Sequence, residues 1–137
     1  MNFLLDTNVV SEWVRPAPND GVISWLDQID EDRVFLSVIT LTELRFGIER
    51  LAPGKRRDRL QNWFENELPV RFETRVLAID PAVATACGDV LARREKEGRP
   101  MELADAYLAA TAQVHQLTVV TRNADFADVA HCLNPWS

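Results

Sequence analysis

The sequence predicts an α/β fold: three layers, with helices covering both faces of a short parallel sheet of four to five strands. Three observations carry that expectation. Short continuous apolar runs recur at Asn2–Leu5, Val34–Leu36 and Leu117–Thr121, and unbroken rather than alternating runs are what strands buried on both faces require. Longer stretches with apolar residues at helical spacing lie between them, so strand and helix alternate. Finally, 137 residues with 47% hydrophobic and 26% charged content suit one folded domain, 1–137, and exclude wholesale disorder.

Taken in order, Asn2–Leu5 is the first strand and ends at Asp6. Thr7 to Val14 is a short helix that Arg15-Pro16-Ala17-Pro18 stops, because proline cannot continue the hydrogen-bond ladder and restricts its predecessor. A second helix runs from Val22 to about Ile29 with Trp25, Leu26 and Ile29 inward, and Asp30-Glu31-Asp32 is a charged connection. Val34-Phe35-Leu36 is the second strand. Ser37 or Thr40 then caps a helix carrying Leu41, Leu44, Ile48 and Leu51 on one face, ended by Pro53-Gly54. Residues 55–68 form another amphipathic helix (Leu60, Trp63, Phe64, Leu68), closed by Pro69. Arg75–Ile79 is a third strand. Pro81 opens a helix to Gly98 that offers Val83, Cys87, Val90 and Leu91 for burial, and Pro100 opens the next, rich in alanine and leucine from Leu103 to Leu117. The fourth strand is Leu117–Thr121, Asn123–Phe126 is a turn or short helix, and Val129–Leu133 adds a short edge strand.

Composition narrows the function classes. No apolar run approaches the roughly 18–20 residues that span a bilayer, and Met1 to Asp6 lacks the basic start of a signal peptide. Cys87 and Cys132 form no CxxC, so neither a disulfide framework nor a thiolate zinc site is expected, and a cytoplasmic protein is the default. The net charge of −6 opposes bulk attraction to nucleic acid. Yet Arg45, Arg50, Lys55, Arg56, Arg57 and Arg59 face only Glu49 and Asp58, which leaves that stretch at +4. A solvated turn between helices is its ordinary reading, and a phosphate-binding patch the sharper one.

Four acids stand out. Asp6 ends the first strand, Glu43 follows the second, Asp125 follows the fourth, and Asp105 lies early in an alanine-rich helix. Each has an ordinary explanation when taken singly. Asp6 suits a helix cap, Thr40-Leu41-Thr42-Glu43 has the form of a capping box, Asp105 favours a helix dipole, and Asp125 suits an Asx-turn. Together they differ, because Asp6, Glu43 and Asp125 all follow strands on the side where parallel sheets gather ligands. Clustered carboxylates repel one another unless a cation joins them. Oxygen-only ligands suit Mg²⁺ or Mn²⁺, and the chemistry needing that arrangement is phosphodiester hydrolysis, where the cation acidifies a water and offsets charge on the departing oxygen. Alternatives lack their motifs: His115 and His131 form no HxxxH or HxH pair, and GxGxxG, GxxxxGK[ST] and GxSxG are absent. Asn8, Thr121 and Asn123 are polar neighbours of the acids, with turn chemistry as their ordinary role.

Four segments in order resemble PIN-domain proteins, specifically the VapC/FitB-like toxins of type II toxin–antitoxin pairs. They are Phe3-Leu4-Leu5-Asp6-Thr7-Asn8-Val9-Val10-Ser11-Glu12, Ser37 to Ile48 around Thr42-Glu43-Leu44, Ala104-Asp105-Ala106-Tyr107-Leu108-Ala109-Ala110-Thr111-Ala112, and Val119-Val120-Thr121-Arg122-Asn123-Ala124-Asp125-Phe126. Asn134-Pro135-Trp136 also fits, so the resemblance spans essentially the whole chain. It implies a PIN-like, Rossmann-like fold and a Mg²⁺- or Mn²⁺-dependent endoribonuclease. Asp6, Glu43 and Asp105 would be the principal acidic metal ligands and catalytic residues, with Asp125 as the fourth acid. It also implies a structured RNA substrate (tRNA or ribosomal RNA), a homodimer, and a small antitoxin that assembles with the toxin as a hetero-oligomer and silences it. Asn123-Ala124-Asp125-Phe126 is tighter than the family's usual spacing, which points to a displaced or outer role for Asp125. Trp13, Trp25, Trp63 and Trp136 read mostly as core, with Trp13 and the region near Trp63 available to a partner groove. The competing class is a non-catalytic PIN-like module binding RNA or protein. A phospho-acceptor domain fits poorly, because Arg122 stands where a lysine is wanted.

Overall fold

The computed structural model describes residues 1–137. Five strands, β1 (Phe3–Leu5), β2 (Val34–Ser37), β3 (Val76–Leu77), β4 (Thr118–Val120) and β5 (Cys132–Leu133), pair in parallel in the order β3-β2-β1-β4-β5. The chain therefore starts at the centre of the sheet, builds one wing, and returns to build the other. Phe3 pairs with Val34 on one side and Thr118 on the other. The reversal of strand order between β1 and β4 is where open parallel sheets leave a crevice at their carboxyl ends.

The pleat distributes the core. Phe3, Leu5, Leu36 and Val120 join one apolar cluster, which includes Val10, Leu26, Leu44, Trp63 and Phe72. Leu4 and Val119 point to the opposite cluster with Val83, Cys87, Val90, Leu108 and Phe126. Adjacent strand residues serve opposite faces, as the period of two demands, and that is why the runs are unbroken in sequence. The first face is covered by α1 (Thr7–Val10), α2 (Asp20–Gln28), α3 (Val38–Glu49) and α5 (Leu68–Phe72), and α4 (Lys55–Asn62) packs against α3. The other carries α6 (Pro81–Lys96) and α7 (Leu103–His115). No helix is long and apolar enough to cross a membrane.

Most predicted elements appear within a residue or two, with instructive departures. The helix from 55 is not closed by Pro69. A π-helical turn, Trp63–Glu67, has the Leu68 amide donating to the Trp63 carbonyl, and α5 carries Pro69 in its first turn. A widened turn shifts the ladder so that proline's missing N–H falls where none is required. Pro100 does not open α7. Glu102 is still extended (φ −65°, ψ 149°), and helix begins at Leu103. Met101 is buried in the core between α6 and α7, so the chain stays extended to bring it there. The third strand is only Val76–Leu77, paired with Leu36 and Ser37. Thr7–Val14 tightens after Val10 into a 3₁₀ turn, Ser11–Val14.

Candidate active site at the carboxyl edge of the sheet

Asp6 is the first residue beyond β1, and its amide still donates to Val120 O at 3.0 Å. It is only 6% exposed. Its Oδ1 accepts from the Thr7 amide at 2.7 Å, and its Oδ2 accepts from the Thr121 hydroxyl at 2.8 Å and from Asn8 Nδ2 at 3.2 Å. Burial pushes this carboxyl above its ordinary value, while those three donors act in the opposite sense. Asp6 does cap α1, and the cap and the buried acid are the same group.

Glu43 does not complete a capping box. Ser37 sits in extended conformation at the end of β2 and its Oγ accepts from the Ile39 amide at 3.0 Å, so α3 starts earlier and Thr40 lies buried inside it. With Ser37 as the cap, Thr40 is the third residue of the helix and Glu43 lies three residues past the position from which a capping box is closed. Glu43 turns instead to α1, where its Oε1 accepts from Thr7 Oγ1 at 2.6 Å. Thr7 thus links Asp6 through its amide to Glu43 through its hydroxyl.

Asp105, in the first turn of α7, is half-buried with a carboxyl pushed up to about 6. Burial is the largest cause, followed by the negative charges of Asp6, Glu43, Glu102 and Asp125. Asp125 occupies the 3₁₀ turn Ala124–Phe126 after β4, where Asn123 Oδ1 accepts from its amide at 3.0 Å. Its own Oδ1 is taken by Arg94 Nη2 at 2.6 Å. Asn123 therefore does turn chemistry, and Thr121 does more than that, since its hydroxyl both holds Asp6 and accepts from the Asn123 amide at 2.9 Å.

The charges of Asp6, Glu43 and Asp125 all reach Asp105, yet no three acidic, histidine or cysteine side chains approach closely enough to cage one ion between them. The donor set nevertheless has the chemistry of a hard cation's site. Carboxylates, hydroxyls and an amide supply it, and Asn8 Oδ1 is buried there with no hydrogen-bond partner. An orphaned buried oxygen beside mutually repelling carboxylates fits a divalent cation with bound waters.

Beside Thr7 and Glu43 runs a groove of about 200 Å³ floored by Leu44, Ile48, Leu60 and Trp63, with Arg15 and Arg56 on its rim. Trp13 extends it past Arg15 toward Arg59. The basic stretch is partly neutralised: Arg45 pairs with Glu49 and Glu65, and Arg57 with Glu49. Lys55, Arg56 and Arg59 are exposed and form no ion pair.

Two features escaped the sequence reading. The Thr7–Glu43 bond spans 36 positions and has no local signal. Arg94 had one, since Val83, Cys87, Val90 and Arg94 fall on one helical face, and an arginine on a buried stripe requires partners.

This arrangement defines a class: a parallel α/β protein that gathers acids, hydroxyls and an amide at the carboxyl ends of its central strands. The PIN-domain family model matches residues 3–131, and the chain belongs to that family. It is 42% identical to toxin FitB of Neisseria gonorrhoeae over 136 residues, 97% of each chain. It is 37% identical to the VapC ribonuclease Y4jK of Sinorhizobium fredii over 135 residues, 97% of this chain and 96% of the other. The crystal structure of FitAcB from Neisseria gonorrhoeae superposes with a TM-score of 0.90 at 42% identity, covering 98% of both chains.

Proposed function

We propose that this protein is the toxin of a type II toxin–antitoxin pair and acts as a Mg²⁺- or Mn²⁺-dependent endoribonuclease. The observation that carries the reading is Asp105, whose carboxyl rises to about 6 under burial and the charges of Asp6, Glu43 and Asp125, together with the orphaned Oδ1 of Asn8, whose Nδ2 donates to Asp6. Two of its relatives are named as a toxin and a ribonuclease, and structures sharing its fold include toxin–antitoxin complexes.

Asp6, Glu43, Asp105 and Asp125 would hold the ion, directly or through its waters. When bound, a divalent cation supplies charge compensation and Lewis acidity at a phosphodiester. The chain's own contribution is positional. Thr121 and Asn8 fix the orientation of Asp6 and favour its charged form against burial, while Thr7 fixes Glu43, so neither acid needs to reorient when substrate arrives. Asp105 is ionised at neutral pH and protonated well below it. Arg56 and Arg59, with Lys55 beside them at the start of α4, offer phosphate contacts along the groove that leads from Thr7 and Glu43.

The same groove is suited to a small antitoxin. Trp13 and Trp63 give it an apolar floor, and a basic side chain entering beside Glu43 would silence the acids. A homodimer within a toxin–antitoxin hetero-oligomer completes the proposal. The test is cleavage of purified tRNA and ribosomal RNA. Mg²⁺ or Mn²⁺ should support it, EDTA should stop it, and Asp105→Asn should abolish it with the circular dichroism spectrum unchanged. Cleavage persisting in EDTA, or undiminished in that variant, overturns the metal mechanism. A folded protein that cleaves no RNA under any of these conditions returns the chain to a binding module.

A further inference from the structure

Arg94 is 1% exposed, on the buried face of α6, among Cys87 and Val90 of the core. A guanidinium there must be met on every donor, and all its partners belong to two segments. Nε donates to Arg99 O at 2.8 Å, just beyond the end of its own helix. Nη1 donates to Asp125 O at 3.1 Å and Asp128 Oδ1 at 3.3 Å, and Nη2 to Asp125 Oδ1 at 2.6 Å. Arg94 therefore grips both the backbone and the carboxylate of Asp125. The outer side of the same turn is held separately, by Arg93 and Arg99 on Asp128 Oδ2 at 2.8 and 3.0 Å.

We propose that Arg94 is a positioning residue for the cation site, holding Asp125 by one carboxylate oxygen and its carbonyl so that only Oδ2 is left to meet the ion or its water. This rests on the carboxylate reading above. It explains how Asp125 serves despite the tight Asn123-Ala124-Asp125 spacing: side-chain freedom that a short turn leaves loose is removed from below by the guanidinium. Asp125 is then an acceptor fixed in advance, and the cost of ordering it is met in folding rather than at cation binding.

The experiment is Mn²⁺ titration of the full chain by calorimetry, without substrate, on the native protein, Asp125→Asn, Arg94→Gln, Arg94→Lys, Arg93→Gln and the Asp125→Asn/Arg94→Gln double variant. Arg94→Gln should weaken Mn²⁺ about 10-fold, at the low end of what partners of metal ligands command. Arg94→Lys keeps the charge but cannot satisfy four acceptors, and should also lose affinity while remaining folded by circular dichroism. The double variant should bind no more weakly than Asp125→Asn alone. Arg93→Gln loosens the same turn from outside, and should lower thermal stability without altering affinity. Native affinity in both Arg94 variants, or additive losses in the double variant, overturns the inference while leaving the carboxylate site intact. Should Arg94→Gln fail to fold, Arg94→Lys decides by the same criterion. Absence of Mn²⁺ binding by the native protein overturns the carboxylate reading itself, and this inference with it.

Discussion

Asp105 has a carboxyl whose ordinary value of 3.8 rises to about 6, first through burial and then through Asp6, Glu43, Glu102 and Asp125. The unfolded chain therefore loses this proton before the folded one does. Stability contributed by the protonated form is complete below about pH 4 and is lost as pH climbs through about 6. Asp105→Asn removes the charge at every pH, so the metal-free variant should melt higher than the native protein above about pH 6. That gap should close as pH falls toward 4. Thermal melts in EDTA at about pH 4.5, 6 and 7.5 check it, and a pH-independent gap contradicts it. Divalent cation works in the opposite sense, since it needs the ionised carboxylate and should release protons on binding near pH 6. Thr121 tests the neighbouring acid. It is 2% exposed and its hydroxyl donates to Asp6 Oδ2 while accepting from the Asn123 amide. Thr121→Val leaves a buried carboxylate short of a donor and should cost about 2 kcal/mol in urea unfolding at neutral pH, whereas Thr121→Ser should cost less than half of that.

At the level of elements, the C-terminal tail and α2 form one device. Asn19 caps α2 by accepting from the Gly21 and Val22 amides, and the same Oδ1 accepts from the Ser137 amide at 3.2 Å. A Cβ at Gly21 would stand 2.5 Å from Pro135 O and 2.7 Å from Ser137 N. Alanine is the better helix former by up to about 1 kcal/mol, but the obstructing atoms are backbone, so the tail must shift and take Trp136 from its place over Arg122. Gly21→Ala should therefore destabilise by about 1–2 kcal/mol. In a chain ending at Asn134 the same substitution should be neutral or favourable, which paired thermal melts will show. Elements of this kind divide what sequence makes legible from what it does not. Strands β1, β2 and β4 were legible because apolar continuity is a local consequence of burial on both faces. Asp6, Glu43 and Asp125 were legible as acids that follow strands along the chain, and Asp105 as an acid in an alanine-rich helix. The continuation through Pro69 was not, because a π-turn depends on hydrogen-bond register that proline alone does not announce. The capping-box reading of Glu43 failed because Thr40 and Ser37 are both competent caps, and the end of β2 decides between them. Arg94 went unread because its partners lie some thirty positions away, at Asp125 and Asp128.

For the whole molecule, charge is arranged rather than merely negative. One divalent ion held among the acids would bring the net −6 to −4 and two would bring it to −2. The arginines on α6 are spent on Asp125 and Asp128, and those at 45 and 57 on Glu49 and Glu65. The unpaired cations that border the groove reaching Thr7 and Glu43 are Arg56 and Arg59 on the exposed edge of α4, with Lys55 beside them in the chain. Neutralising Arg56 and Arg59 together should weaken RNA binding in low salt and reduce the slope of log K against log salt. Two lost phosphate contacts correspond to roughly 1.4 in that slope for a single strand. Arg57→Gln is the informative comparison. Its guanidinium already lies 2.9 Å from Glu49, so removing it should leave the slope nearly unchanged and lower affinity only through the uncovered carboxylate. Binding isotherms in EDTA, from about 50 to 200 mM salt, separate the two outcomes because cleavage is suppressed and only approach is measured. Equal slopes for the native protein and the Arg56→Gln/Arg59→Gln variant would place the RNA path elsewhere on the molecule, and the groove would then belong to the antitoxin alone.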